Sequence, residues 1–128
     1  MRILLDTCTF LWIITDDSSL SAKARALFVA SENEVFLSVV SSWEIAVKYK
    51  LGKLPLPESP AKYIPQKREQ HEIDSLVLTE QAALYLPKLP DLHRDPFDRI
   101  LICQAIVEGL CLLTPDELII QYPVHSLW

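Results

Sequence analysis

The stretch RILLD, residues 2–6, is an apolar run of strand length that closes on an acid, Asp6. An apolar run that does not alternate with polar residues is typical of a strand buried on both faces, as in parallel sheets. VFLSVV (35–40) and LCLLT (110–114) repeat this pattern, and EIDSL (72–76) is a weaker example. The chain therefore offers three clear strands and one weaker one.

Helical spacing and helix-capping residues fill the segments between these strands. We expect helices in CTFLWIIT (8–15), SLSAKARALFVASE (19–32), SSWEIAVKYKLGKL (41–54, ending near Gly52), SPAKYIPQKREQ (59–70, kinked or split at Pro65), TEQAALYL (79–86) and FDRILICQAIVEG (97–109), then a helical turn and an extended VHSLW (124–128). Strands that alternate with helices predict one α/β domain over residues 1–128: a three-layer α/β/α fold with a central, mainly parallel sheet of four to five strands.

Composition excludes several classes of protein. With only two glycines, Gly52 and Gly109, the chain has no glycine-rich phosphate loop. A net charge of -5 argues against a protein that coats nucleic acid. No apolar stretch is long enough to span a bilayer, and the N-terminus has no secretory pattern. The three cysteines share no CxxC spacing, so we expect reduced thiols and a cytoplasmic protein.

At least three of four acids fall where ligands bind in parallel α/β sheets, at the carboxyl ends of the strands, so the four could converge. Asp6 closes the first strand, Glu44 follows the second, Asp98 opens a helix after a proline-rich connector, and Asp116 follows LCLLT. Two carboxylates about 4 Å apart repel by roughly 4 kcal/mol at an effective dielectric constant near 20. A cluster of four must therefore take up protons or bind a cation. Oxygen ligands alone favour a hard cation, Mg²⁺ or Mn²⁺.

Helix capping is the competing interpretation of the same acids. Ser41 to Glu44, Asp95 to Asp98 and Thr114 to Glu117 each fit an N-terminal capping pattern. An acid in a first helical turn gains roughly 0.3–1 kcal/mol from the helix dipole without any ligand. Capping does not account for Asp6, which we expect at the end of a strand. A protein-interaction domain whose acids are caps therefore stays open as an alternative.

Four segments together resemble a known family: LLDTCTFLW, SVVSSWEIAVKYKLGKL, HRDPFDRILICQA and LLTPDELIIQYPVHSLW. In order and spacing they are similar to the PIN domain of the VapC-type toxin ribonucleases. The resemblance implies a central parallel sheet flanked by helices. It places the family's four catalytic and metal-binding acids at Asp6, Glu44, Asp98 and Asp116, with Thr7, Thr114 and Asp95 as supporting residues. Cys8 departs from the family pattern, because many relatives have His after the Asp-Thr pair.

The resemblance further implies a Mg²⁺- or Mn²⁺-dependent endoribonuclease, the toxin of a toxin–antitoxin pair, that hydrolyses RNA phosphodiester bonds and restrains translation and growth. Its implied partners are RNA, a cognate antitoxin protein, a second copy in a homodimer and a toxin–antitoxin hetero-oligomer, without a membrane. The alternative is a catalytically silent PIN-like domain that binds protein or RNA.

Several residues around the acids carry weaker expectations. Lys48, Arg94 and Arg99 are the cations most suited to contact RNA phosphates, although Arg99 could instead pair with an acid. His93 is expected to be a solvated connector residue, and Cys8, Trp12 and Trp43 are expected to pack. A haloacid-dehalogenase-like phosphatase is a weak rival, since it needs an acid where Cys8 stands.

Overall fold

A five-stranded, wholly parallel sheet organises the chain in the computed structural model, which describes residues 1–128. The strand order is β3-β2-β1-β4-β5, with β1 in the centre. In β1, Leu4 pairs with Phe36 on one side and with Leu112 on the other. The strands are β1 (Arg2–Leu5), β2 (Glu34–Ser38), β3 (Asp74–Leu76), β4 (Cys111–Leu113) and β5 (Ser126–Leu127).

Helices cover both faces of this sheet. Their bounds are α1 (Thr7–Ile14), α2 (Ala22–Val29), α3 (Val39–Lys50), α4 (Pro60–Gln70), α5 (Glu80–Leu84), α6 (Pro96–Glu108) and α7 (Glu117–Ile120), with a 3₁₀ turn at Leu86–Lys88. No helix is both long enough and apolar enough to cross a membrane.

Successive residues of β1 belong to different hydrophobic cores, because side chains alternate between the faces of a strand. Ile3 and Leu5 pack with residues of α1 to α4, whereas Leu4 packs with residues of α6 and α7. All three are at most 1% exposed. This double burial explains the uninterrupted apolar run and confirms the predicted α/β/α layers with a parallel sheet.

Two local predictions were wrong. The strand expected over 35–40 ends at Ser38, because the Ser38 hydroxyl accepts a hydrogen bond from the N–H of Val40 (3.0 Å) and starts α3 there. Ser41 is therefore a buried residue inside the helix and not its cap. Pro65 does not divide α4, which is one continuous helix. Pro65 and Ala61 are both exposed, so water can satisfy the Ala61 carbonyl that has no N–H partner at Pro65.

A buried polar chain fixes the start of α3. The Ser38 hydroxyl donates to Oε1 of Gln104 (2.6 Å), and Nε2 of Gln104 donates to the carbonyl of Val77 (3.2 Å). Ser38 and Gln104 are both 0% exposed. Gln104, on α6, thus holds together the ends of β2 and of β3, and it fixes the helix that carries Glu44.

We predict that Gln104→Met, which keeps the side-chain length but removes both hydrogen bonds, lowers the free energy of unfolding by about 1–3 kcal/mol, because buried polar groups are left unpaired. Urea denaturation monitored by circular dichroism measures the change. Gln70→Met, at an exposed amide, serves as the matched control with little expected effect. Equal stabilities of the two variants would contradict the structural role of this chain of hydrogen bonds.

Candidate active site

A cleft of about 300 Å³ opens at the carboxyl edge of the sheet, where β1, β2 and β4 end. Five carboxylates and a single cationic side chain line it, so the cleft is strongly acidic. The lining residues are Asp6, Thr7, Cys8, Trp12, Glu44, Lys48, Asp95, Asp98, Pro115 and Asp116. The four acids predicted from the sequence to converge therefore do so, with Asp95 beside them.

Asp6 follows β1 and is the N-cap of α1, with its Oδ1 accepting from the N–H of Thr9 at 2.8 Å. Capping therefore does account for Asp6, contrary to the expectation from its place after a strand, because α1 begins immediately at Thr7. Its Oδ2 accepts a hydrogen bond from the hydroxyl of Thr114. Asp6 is only 6% exposed, and burial raises its pKa despite these hydrogen bonds.

Glu44 lies in the second turn of α3, because the helix begins at Val39 and not after Ser41. It is therefore not a capping acid. Its Oε1 accepts from the hydroxyl of Thr7 (2.7 Å), and its Oε2 accepts from Nζ of Lys48, one turn further along the helix. This hydrogen bond raises the pKa of Lys48. Glu44 is 4% exposed, so the carboxylate is held in place by two donors in a nearly closed environment.

Asp98 is the third residue of α6. Asp95 is the N-cap of that helix, as predicted, and Oδ1 of Asp95 accepts from the N–H of Phe97 at 2.9 Å. Asp98 has no capping role. Burial, and then the charge of Asp95, raise the pKa of Asp98 to about 7. Its Oδ1 accepts no hydrogen bond from the protein. Of the four acids of the predicted quartet, Asp98 is the one most in need of a positive partner.

Asp116 is the N-cap of α7 and accepts from the N–H of Leu118 through Oδ1 (2.8 Å). Burial tends to raise its pKa, but the hydrogen bonds from His93 and Leu118 outweigh burial and lower it. Thr114, expected either to bond a carboxylate or to cap this helix, donates to Asp6 and accepts from the N–H of Asp116 (3.1 Å). Thr7 and Thr114 are thus both buried hydroxyls in contact with site acids.

His93 was missed by the sequence interpretation, which treated it as a solvated connector residue. Its side chain is 11% exposed, and Nε2 lies 2.9 Å from Oδ2 of Asp116 and 3.2 Å from Oδ2 of Asp98. One potential ligand atom from each of these three residues lies within 4.8 Å of the others. The only signal in the sequence was its place five residues before Asp98, in a connector constrained by Pro90 and Pro96.

Two further expectations about packing were wrong. Cys8 is exposed and lines the cleft. Desolvation in the cleft and the charge of Asp6 raise the pKa of its thiol to about 11, so Cys8 is a neutral thiol and not a thiolate ligand. Trp43 is 62% exposed, with its ring centroid 5.0 Å from that of Phe97. Trp12 does pack, against Trp128.

The three cations chosen from the sequence lie at different places. Lys48 lines the cleft. Arg94 is exposed on the connector before α6, and neither it nor Arg99 lines the cleft. Nη2 of Arg99 lies 3.3 Å from Oδ1 of Asp91, an acid whose side chain is 93% exposed. Asp91 does not line the cleft, so the alternative expected for Arg99, a pair that supports an acid of the site, is not formed.

A second cleft, of about 370 Å³, lies between α3 and α4 and is lined by Trp43, Ala46, Ile64, Pro65 and Arg68 among others. It is the larger of the two but contains no carboxylate. Carboxylate side chains that could hold a metal ion therefore line the acidic cleft at the edge of the sheet and not this one.

The donor set of the acidic cleft suits a hard divalent cation. All its charged acceptors are carboxylate oxygens, the thiol beside them is neutral, and Asp98 retains an oxygen without a protein donor. Mg²⁺ and Mn²⁺ prefer such oxygen ligands. A cation there would offset the repulsion that raises the pKa of Asp98.

We predict that the metal-free protein loses stability as the pH rises from about 4 through 7. The pKa of Asp98 is raised from 3.8 to about 7 in the folded state, so its contribution is complete below the unfolded pKa and is lost as the pH passes the folded pKa. Asp98→Asn, which mimics the protonated acid, should reduce this slope and raise Tm at pH 8. Thermal unfolding in chelator across this range measures both effects.

Asp17→Asn is the control for that experiment. Asp17 is an acid outside the cleft whose pKa is lowered by its bonds to Ser19, so the variant should keep the wild-type slope between pH 5 and pH 8. A slope that survives unchanged in Asp98→Asn would contradict the assigned source of the pH dependence.

Comparison with known proteins identifies relatives of this chain and proteins that share its fold. The chain is 47% identical over 45 residues to "Ribonuclease VapC16" of Mycobacterium tuberculosis (strain ATCC 25618 / H37Rv). That alignment covers 35% of this chain and 32% of the relative, so the chain matches about a third of the length of this curated relative.

Solved structures share the fold over nearly the whole chain. The structure of VapBC2 from Rickettsia felis bound to a promoter DNA fragment superposes with a TM-score of 0.67 at 16% identity, covering 99% of this chain and 98% of that one. VapBC-1 from nontypeable Haemophilus influenzae gives a TM-score of 0.65 at 17% identity, with coverages of 99% and 97%. The PIN domain family model matches residues 3–124. With that match across nearly all of its sequence, the chain belongs to the PIN domain family.

Proposed function

We propose that this protein is a divalent-metal-dependent endoribonuclease and acts as the toxin of a toxin–antitoxin pair. The observation that carries the proposal is the convergence of Asp6, Glu44, Asp98 and Asp116 in one cleft. Membership of the PIN domain family and the ribonuclease name of the Mycobacterium tuberculosis relative support the same activity.

Helix capping does not explain the whole cluster. Asp6, Asp95 and Asp116 are N-caps, and a protein without a ligand could keep them for that purpose alone. Glu44 and Asp98 have no capping role, and Asp98 is placed where burial and a neighbouring acid oppose its charge. A catalytically silent interaction domain has no use for an acid in this position, whereas a metal centre does.

Asp6 and Asp98 are the proposed direct ligands of Mg²⁺ or Mn²⁺, with Glu44 and Asp116 binding through waters or orienting the attacking water. A divalent ion, when bound, supplies positive charge beside the phosphate and makes water a stronger nucleophile. Water would attack the phosphorus in line and lose a proton to a cleft carboxylate or to solvent, while the leaving 3′ oxygen would take one up, so that the cut ends would carry a 5′-phosphate and a 3′-hydroxyl.

The remaining polar residues hold these acids in place. Thr114 holds Asp6 and Thr7 holds Glu44, in each case through a hydroxyl that donates to a carboxylate oxygen. Lys48, which Glu44 holds at the rim of the cleft, provides a positive charge for an RNA phosphate. Arg94, exposed on the connector, is a second candidate for such a contact, and Arg99 is a weaker one because of its pair with Asp91.

The proposed partners are an RNA substrate, a second copy of the chain and an antitoxin protein in a hetero-oligomer, in the cytoplasm. The similar solved structures are of VapBC2 and VapBC-1, which supports an antitoxin partner. Exposed apolar side chains, among them Trp43, Leu84 and Ile120, provide surface for protein partners. The three cysteines are free, as in a reducing compartment.

Cleavage of RNA by the purified protein tests the activity. We predict cleavage with Mg²⁺ or Mn²⁺, none with a chelator, and a loss of at least about 100-fold in Asp6→Asn and Asp98→Asn, because each removes a charge worth several kcal/mol at the metal. Asparagine is itself a good N-cap, so Asp6→Asn keeps the start of α1 and isolates the loss of charge.

Asp17→Asn is the matched control, because Oδ1 of Asp17 also accepts a backbone N–H, that of Ser19, in an exposed hydrogen bond. Asp17 does not line the cleft. It should cleave like the wild type. Full activity in Asp6→Asn and Asp98→Asn would refute the assigned site and favour the capping interpretation.

Induction in a bacterial host tests the toxin role. We expect the wild-type chain to arrest growth and Asp98→Asn to leave it unaffected, measured by optical density and by mapping the 5′ ends of total RNA. Co-expression of the protein encoded by a short reading frame immediately upstream should restore growth. Growth arrest by Asp98→Asn at equal protein levels would separate toxicity from the proposed hydrolysis.

A further inference from the structure

His93 contacts two of the proposed metal-binding acids at once. Its Nε2 is within hydrogen-bonding distance of Oδ2 of Asp116 and Oδ2 of Asp98, at 2.9 and 3.2 Å. These acids lie on different elements, Asp98 in α6 and Asp116 at the start of α7. A single ring atom therefore links the two helices at the point where their carboxylates meet.

The other ring nitrogen determines which atom carries the proton. The backbone N–H of Asp95 donates to Nδ1 of His93 at 3.1 Å. Because a backbone N–H can only donate, Nδ1 must be the unprotonated nitrogen, and the ring proton lies on Nε2. With its proton on Nε2, the ring donates to Oδ2 of Asp116 and lies 3.2 Å from Oδ2 of Asp98. In that form Nε2 has no lone pair for a metal.

A buried tyrosine fixes the position of His93. The hydroxyl oxygen of Tyr122 accepts from the N–H of His93 (2.8 Å) and from the N–H of Leu92 (3.2 Å). Tyr122 is 3% exposed and belongs to the same segment as α7. The connector before α6 is thereby anchored to the chain segment that presents Asp116, and the imidazole cannot move independently of it.

We propose that His93 is a positioning residue that holds Asp98 and Asp116 at the spacing a divalent cation requires. This inference rests on the proposed metal-dependent function. Nε2 of His93 is the side-chain nitrogen that lies within 3.2 Å of both carboxylates, so its removal would leave their repulsion less opposed. Outer-shell donors of this kind typically change metal affinity or activity by 10- to 100-fold when they are removed.

The test is the affinity of the purified full chain for Mn²⁺, measured by calorimetry without RNA. His93→Ala should bind Mn²⁺ about 10- to 100-fold more weakly than the wild type. His93→Gln should recover most of the affinity, because its amide nitrogen reaches the place of Nε2 and restores a donor. His125→Ala, outside the cleft, is the matched control and should bind like the wild type.

Pulsed electron paramagnetic resonance of Mn²⁺ bound to the wild type gives a second readout that requires no variant to fold. It should show no directly coordinated nitrogen, since a positioning His93 lies outside the ligand sphere. Direct nitrogen coupling would overturn the proposal in favour of a ligand role. Equal affinity of His93→Ala and the wild type, or no recovery in His93→Gln, would also overturn it. A wild type that binds no Mn²⁺ would instead refute the proposed function itself.

Discussion

Repulsion among like charges is the constraint on which the arrangement of the cleft depends. Five carboxylates share one edge of a parallel sheet, and each pair at close range costs several kcal/mol unless donors or a cation offset it. The fold supplies donors one by one: a hydroxyl and a backbone N–H for Asp6, a hydroxyl and Lys48 for Glu44, and a backbone N–H and His93 for Asp116. The one donor near Asp98 is Nε2 of His93, which also donates to Asp116.

A residue that caps a helix in this chain can also take part in the proposed metal site. A carboxylate has two oxygens, and in Asp6 and Asp116 one of them caps a helix while the other joins the polar network of the cleft. The cap restricts the rotamer, so the second oxygen is held in a defined direction before any ligand arrives. Because one acid can cap a helix and also contribute an oxygen to the cleft, the sequence alone could not separate the capping interpretation from the metal-site interpretation.

Most of the fold was accessible from local pattern. The buried strands follow from apolar runs, and Gly109, at φ 66°, ends α6 where a glycine in the left-handed region is expected. The convergence of Asp6, Glu44, Asp98 and Asp116 followed from the rule that parallel strands end at one edge. The start of α3 was misjudged because Val39 and Val40 favour a strand, whereas the long-range bond from Ser38 to Gln104 starts the helix there.

The residues missed in the site depend on contacts that no local pattern encodes. His93 looks like a connector residue until Tyr122, 29 positions later, accepts its backbone N–H. Trp43 has the composition of a core residue, but its position on α3 leaves the ring largely exposed beside Phe97. In both cases the outcome is decided by how helices pack, not by the residues adjacent in sequence.

The hydrogen bond from Thr114 to Asp6 joins residues 108 positions apart, and β1 lies between two strands that are both made after it. During synthesis the central strand therefore leaves the ribosome long before β4 can pair with it. A nascent chain that ends before Thr114 leaves Asp6 without its hydroxyl donor and has no Asp116 at all. The order of translation thus keeps the acidic cleft incomplete until the segment that carries Thr114 and Asp116 has left the ribosome.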